Sequence, residues 1–212
     1  TEGDSASGTI TKARQAETQA VFSLRGKPIN CYKESRKKVA ENDELNLLIN
    51  ALGLEDDMEN LRYNKIIIAT HFPILNKHGG YFLKLYQHRS YVLALKNAPK
   101  LSGMYVDDAK TGLSFRPYGD LLLLGGGSHR TGKKGGNWRE LEQFVAKYYP
   151  RAQIVARWAT QDCMTLDGVP YIGQYAKNTP DLFVATGFNK WGMTSSMVAA
   201  KILSDQVQGR EN

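Results

Sequence analysis

The chain has 212 residues with 28 Lys+Arg against 21 Asp+Glu, a formal net charge of +7, and is long enough to bury a sizeable core as one or two domains. No apolar stretch approaches the roughly 20 residues needed to span a bilayer as a helix, which argues against a membrane protein. Two cysteines, Cys31 and Cys163, make no disulfide framework, so a reducing cytoplasm is the simple expectation. The charge is unevenly spread. Residues 1–70 hold 10 basic and 11 acidic side chains, whereas residues 71–212 hold 18 and 10, with all 4 histidines and 16 of the 20 glycines. A shift of this size marks a domain boundary. Yet it falls at Lys65-Ile-Ile-Ile-Ala-Thr-His-Phe-Pro73, an apolar run without a Pro/Gly/Ser linker. The basic second part is compatible with an anionic cofactor or nucleic acid, and equally with a solvated basic surface.

In chain order, Gly3 to Gly8 reads as a small-residue loop and Thr9 to Thr18 as a helix. Gln19 to Leu24 alternates like a strand and is stopped by Gly26 and Pro28. Leu45, Leu48, Ile49 and Leu52 share one face of a helix from Asp43 to Leu52, with Gly53 as its C-cap. Ile66 to Thr70 reads as a buried strand. Beyond it, Tyr81–Tyr86 and Tyr91–Leu95 flank Gln87-His88-Arg89-Ser90 as a predicted hairpin. A second pair, Leu113–Tyr118 and Leu121–Leu124, turns at Gly119-Asp120, and Gly125 to Gly136 reads as a glycine- and lysine-rich loop. Asn137 is placed to cap a helix running to Tyr148. Ile154–Trp158, Val169–Ile172 and Leu182–Ala185 read as strands, and a last helix runs from Met193 to Val207.

Three stretches of the first part stand in a recognisable order: Thr1-Glu-Gly-Asp-Ser-Ala-Ser-Gly8, Gln19-Ala-Val-Phe-Ser-Leu-Arg-Gly-Lys-Pro-Ile-Asn30, and Leu61-Arg-Tyr-Asn-Lys-Ile-Ile-Ile-Ala-Thr70. Together they resemble the Toprim domain of bacterial type IIA topoisomerase B subunits of the topoisomerase IV and gyrase type. The resemblance implies that Glu2 belongs to a Mg²⁺ site and that Arg25 and Lys27 lie near DNA. A hard divalent cation needs several converging carboxylates. Where the family carries Asp-x-Asp-x-Asp-Gly after the strand, this chain reads His71-Phe-Pro-Ile-Leu-Asn76. Glu2 is therefore a vestige of a metal site, and Mg²⁺ binding is not expected.

The second part carries Ala69-Thr-His-Phe-Pro73, Leu121-Leu-Leu-Leu-Gly-Gly-Gly127, Asp162-Cys-Met-Thr-Leu-Asp-Gly-Val-Pro-Tyr-Ile-Gly173 and Asp181-Leu-Phe-Val-Ala-Thr-Gly-Phe-Asn-Lys-Trp-Gly-Met-Thr194. These resemble the C-terminal part of FAD-dependent oxidoreductases of the D-amino-acid-oxidase-like family. The resemblance implies that Gly187, Asn189, Lys190, Trp191, Gly192, Met193 and Thr194 line the flavin, with the start of the last helix facing its ring. It also places Gln161, Asp162 and Cys163 near the small-molecule substrate, whose identity is not readable. The family's pyrophosphate-seating fingerprint, Gly-x-Gly-x-x-Gly, does not occur in the sequence.

The expected fold is α+β: a partial Toprim-like α/β segment over residues 1–70, then over residues 71–212 an antiparallel substrate-domain-like sheet and the closing strand-loop-helix of an FAD-binding domain. Three functional readings stay open at this point. The chain is an FAD-dependent oxidoreductase fragment fused to a truncated topoisomerase segment, a topoisomerase B fragment with weak DNA binding, or a non-catalytic hybrid. A partner chain that supplies the missing halves is compatible with each.

Overall fold

The computed structural model describes residues 4–25, 34–54, 58–75, 78–109 and 112–210. Its helices are α1 (Asp4–Ala13), α2 (Arg36–Ala40), α3 (Asp43–Leu52), α4 (Tyr81–Lys84), α5 (Arg139–Tyr148) and α6 (Gly192–Val207). Its strands are β1 (Ile66–Ile68), β2 (Leu85–Lys96), β3 (Tyr105–Val106), β4 (Ser114–Tyr118), β5 (Leu121–Arg130), β6 (Gln153–Thr165), β7 (Tyr171–Gln174) and β8 (Leu182–Thr186). The mixed α+β class agrees with the expectation. The elements fall into two units, Thr1–Phe82 with Val169–Asn212, and Leu83–Gly168. Among the described residues no helix is long and apolar enough to cross a membrane.

In the first unit, α1 begins at Asp4, inside the stretch read as a loop. Only Gly8 opposes it, at roughly 1 kcal/mol for a glycine within a helix. The predicted strand Gln19–Leu24 does not form beyond a single bridge at Leu24, because a strand without a neighbour has nothing to satisfy its backbone. α3 matches the expected bounds. Asn42 Oδ1 accepts from Leu45 N at 3.0 Å at its start, and Gly53 closes it with φ 78°. Its apolar face is only partly covered, since none of its residues is buried. The isoleucine run forms β1, which pairs in parallel with β8 in the register Ile66↔Leu182, Ile67↔Phe183, Ile68↔Val184. β8 in turn pairs antiparallel with β7, giving the order β1-β8-β7. Ile68 is buried and Ile67 exposed, so the run expected to be wholly buried is covered on one face. Phe183, Ala185, Ala199 and Leu203 form the core where α6 meets this sheet.

The second unit is a five-stranded antiparallel sheet in the order β3-β4-β5-β2-β6. The predicted hairpin at Gln87–Ser90 is instead the middle of one strand, β2, paired to β5 on one side and β6 on the other. Gln87-His88-Arg89-Ser90 holds no Gly, Pro or Asn to supply turn geometry, so continuous pairing wins. The turn at Gly119-Asp120 forms as expected, with Gly119 at φ 59°. Gly125 to Arg130, read as part of a loop, continues β5 past an irregularity in pairing between Arg89 and Tyr91. Asn137 does not cap α5. It sits at φ 54°, its Oδ1 accepts from the Tyr91 hydroxyl at 3.1 Å, and Trp138 takes the N-cap position without a side-chain bond. Leu93, Leu95, Leu122 and Leu124 from the sheet meet Leu141 and Val145 of α5 in the core.

Candidate functional site

The junction of β8 and α6 gathers the seven predicted flavin-lining residues in one continuous turn. β8 is buried from Phe183 to Thr186, and the Thr186 hydroxyl donates to the His71 carbonyl at 2.9 Å, tying the junction to the residues that follow β1. Gly187 then turns the chain at φ 68° and Asn189 at φ 55°. Both values lie in the left-handed region, which glycine adopts without a Cβ penalty and asparagine tolerates. Trp191 N donates to Phe188 O at 2.9 Å to close the turn, and Ser195 N to Trp191 O at 2.9 Å makes the first helical bond of α6. The amides of Gly192, Met193 and Thr194 precede that bond, so no carbonyl of α6 can accept from them. They point with the positive end of the helix dipole out of the turn. Trp191 and Met193 stand 65% and 87% exposed beside these amides. An apolar flank beside a row of unclaimed amides suits a planar, hydrogen-bonding ring that carries negative charge when reduced. The residues present therefore fit the ring end of a flavin, while no glycine fingerprint for the pyrophosphate occurs in the sequence.

Behind this junction lies a tyrosine cluster. The Tyr81 hydroxyl donates to Tyr175 O at 2.9 Å, Tyr81 contacts Tyr171 edge-on, and the Tyr175 hydroxyl donates to the Leu75 carbonyl. Burial, then the neighbouring Tyr175 and Tyr171, pushes the Tyr81 phenol up to about 12. Burial likewise raises Tyr175.

The second unit offers a separate polar surface on one face of its sheet. Direct pairing sets His88 between Arg130 on β5 and Asp162 on β6. His88 Nδ1 lies 2.8 Å from Ser128 Oγ, and the Ser90 hydroxyl donates to Asp162 Oδ2 at 3.4 Å. The Arg130 guanidinium stacks over Tyr86 at 5.0 Å, and Tyr86 meets His88 edge-on at 6.1 Å. An imidazole, a carboxylate and a guanidinium on one face can orient a small polar molecule and move a proton. Of these groups the sequence pointed only to Asp162. His88 and Ser90 were hidden by the hairpin reading, although the alternation of Tyr86, His88 and Ser90 along one face was available as a signal. Cys163 alternates to the other face and is buried. Gln161 contacts Gln87, its Nε2 donating to Gln87 Oε1 at 3.3 Å.

Of the topoisomerase-type positions, Glu2 and Lys27 lie outside the described residues. Arg25 is exposed, and its backbone amide donates to Glu44 Oε2 at 3.3 Å. Among the described residues no group of three or more His, Cys, Asp or Glu stands together as a metal site would require.

The family model for FAD-dependent oxidoreductases of the DAO type matches residues 34–206, well over half of the chain. The chain belongs to the DAO family of FAD-dependent oxidoreductases. Its curated relatives of this type include the Bacillus subtilis protein YhfW, named for a Rieske 2Fe-2S centre, which is 40% identical over 157 residues. That match covers 69% of this chain and 30% of YhfW. A second similarity is to the B-type subunit of DNA topoisomerase 4 from Borreliella burgdorferi, 51% identical over 70 residues, which covers 33% of this chain and 12% of that protein. Glycine oxidase from Geobacillus kaustophilus shares the fold with a TM-score of 0.57 at 22% identity, over 71% of this chain and 43% of that one. The DAO chain thus spans less than half the length of each of these proteins. Its family membership and its partial topoisomerase similarity together bear out the composite character expected from the sequence motifs.

Proposed function

We propose that this DAO chain is the flavin-facing C-terminal segment of an FAD-dependent oxidoreductase, fused at about Thr70 to a truncated topoisomerase Toprim segment, and that it lacks the full activity of either parent. The observation that carries the flavin reading is the β8–Gly187–α6 turn. It leaves the amides of Gly192, Met193 and Thr194 unclaimed beside the exposed Trp191. Bound there, FAD would supply a ring that accepts two electrons from a reduced small molecule. The chain's own residues contribute the rest. Gly187 and Asn189 hold the turn open, the three amides and the helix dipole favour negative charge on the ring, and Trp191 and Met193 keep water from its edge. On the second unit, His88 and Asp162 supply a proton acceptor and a carboxylate for a polar substrate. Titration of the purified protein with FAD, read by quenching of flavin fluorescence, tests the proposal. Saturable quenching that is lost in Gly192→Pro supports it, and no quenching at any protein concentration refutes it.

The 51% identity to the topoisomerase protein favours a topoisomerase origin for the leader. Arg25 and Lys27 then contribute at most weak, salt-sensitive contact with DNA. Sequencing the coding DNA across codons 60–80 distinguishes a native junction from a recombined one. For the metal site, equal DNA binding by the parent and by Glu2→Ala, with and without Mg²⁺, would show it to be vestigial as proposed.

A further inference from the structure

Strand β6 is the longest strand in the chain, and it ends the five-stranded sheet. Its residues 153–161 are exposed throughout, on both faces of the strand. Ile154, Val155 and Trp158 are 43%, 50% and 39% exposed. An edge strand normally protects its row of N–H and C=O groups with Pro, Lys or a covering element. This stretch contains no Pro and no Lys, and its one charged residue is Arg157. Such an edge is a template for strand addition, in which backbone bonds give affinity and alternate side chains give selectivity.

Charge decides between occupants. Residues 83–168 carry 13 Lys+Arg and 7 Asp+Glu, so two copies meeting edge to edge would bring like net charge together, whereas an acidic strand is attracted. Arg151 lies just before β6. Lys96 and Arg89 are paired to Gln153 and Gln161 on the neighbouring strand. Arg157 stands at 61% side-chain exposure despite its 3.5 Å contact with Glu142. We propose that β6 is a docking edge for an extended, acidic polypeptide segment of a partner protein, which adds to the sheet as a further strand.

The probe is a fluorescein-labelled peptide as long as β6 in which Val and Thr alternate with Glu, mixed with the full 212-residue chain. Saturable anisotropy is expected, weakening about tenfold between roughly 0.05 M and 0.5 M NaCl as the Debye length shrinks. The peptide should slow amide exchange within residues 153–161, and a peptide with Lys in place of Glu should bind at least tenfold more weakly. Arg157→Glu should weaken the acidic peptide by about tenfold. Ala156→Pro and Ala159→Pro differ in parity along the strand, so one of them removes an outward N–H and should abolish binding while the sheet persists. If that variant fails to fold, Arg157→Glu and the exchange pattern decide. Four results overturn the proposal: no binding, binding without protection of β6, a dimer that buries β6 in its place, or equal competition by single-stranded DNA of the same charge.

Discussion

The turn that presents α6 can be weighed through a single methyl group. Gly187 sits at φ 68° between the buried end of β8 and the half-buried Phe188. An alanine there places Cβ against the carbonyl, at about 1–2 kcal/mol for a non-glycine residue in the left-handed region. The lower entropy of the unfolded alanine chain gives back about 0.4–1 kcal/mol of stabilisation in positions that accept it, but this one does not, so the net loss for Gly187→Ala is about 1–2 kcal/mol. With a urea slope of about 2 kcal/mol/M, the midpoint should fall by about 0.5–1 M. The transition can be followed for this unit alone by fluorine NMR of 5-fluorotryptophan-labelled protein. Trp191 lies four residues beyond the substitution, and the other two tryptophans belong to the second unit. Asn189→Gly is the matched control. Asparagine already tolerates φ 55°, so relief of strain and the added freedom of the unfolded chain nearly cancel, and the shift should stay within about 0.5 kcal/mol. If Gly187→Ala unfolds within about 0.3 M of the parent at the Trp191 resonance, the turn is not held in the left-handed geometry and the argument for its role fails.

Three further outcomes follow from the packing. Tyr81 titrates near 10 in the unfolded chain and at about 12 when folded. The folded state thus holds the proton more tightly, and stability present below pH 10 should decline as pH rises through 12, by of order 2 kcal/mol; Tyr81→Phe should flatten that decline in alkaline urea titrations. Leu124→Ala, at a fully buried position between the sheet and α5, should destabilise the second unit by about 2–5 kcal/mol in thermal or urea unfolding. Tyr91→Phe removes a hydroxyl that bridges His129 Nε2 at 3.0 Å and Asn137 Oδ1 at 3.1 Å. A loss of about 1–2 kcal/mol is expected, together with a shift of the His129 ring resonances in the proton–nitrogen spectrum.

Legibility of this chain depended on whether a segment's partners lie nearby in sequence. The α3 helix, with Asn42 and Gly53 at its ends, and the Gly119-Asp120 turn carry their determinants locally, and both formed where the residue pattern placed them. So did β8 and α6, whose junction depends on Gly187 and the apolar run before it. The errors arose where tertiary pairing decides. Gln87–Ser90 is polar enough to resemble a turn, yet it lies between two strands that claim its backbone on both sides. Gly125-Gly126-Gly127 is loop-like in composition, but Gly126 lies where a side chain would strike Leu113 and Leu141. Glycine there permits close packing of the sheet on α5 rather than flexibility. The polar surface around His88 was invisible for the same reason: its members come from β2, β5 and β6, and only the register brings them together.

The isoleucine run at the seam follows a different logic. A strand in a parallel pair needs β-branched residues, a backbone free of proline and one apolar face, and almost nothing else is specific to its neighbour. Ile66, Ile67 and Ile68 meet these terms in register with Leu182, Phe183 and Val184. They would meet them as well beside any other apolar parallel strand. The specificity lies downstream, where His71 O accepts the Thr186 hydroxyl and the Tyr175 hydroxyl reaches Leu75 O. Those contacts bind residues 71–75 to the flavoprotein-like strands and helix, not to α1–α3. A join placed before His71 therefore disturbs no contact that the closing sheet requires. A join a few residues later would sever the ties that fix β8 and, through it, the start of α6. The position of the composition break is thus the one at which a foreign leader costs the oxidoreductase-like sheet least.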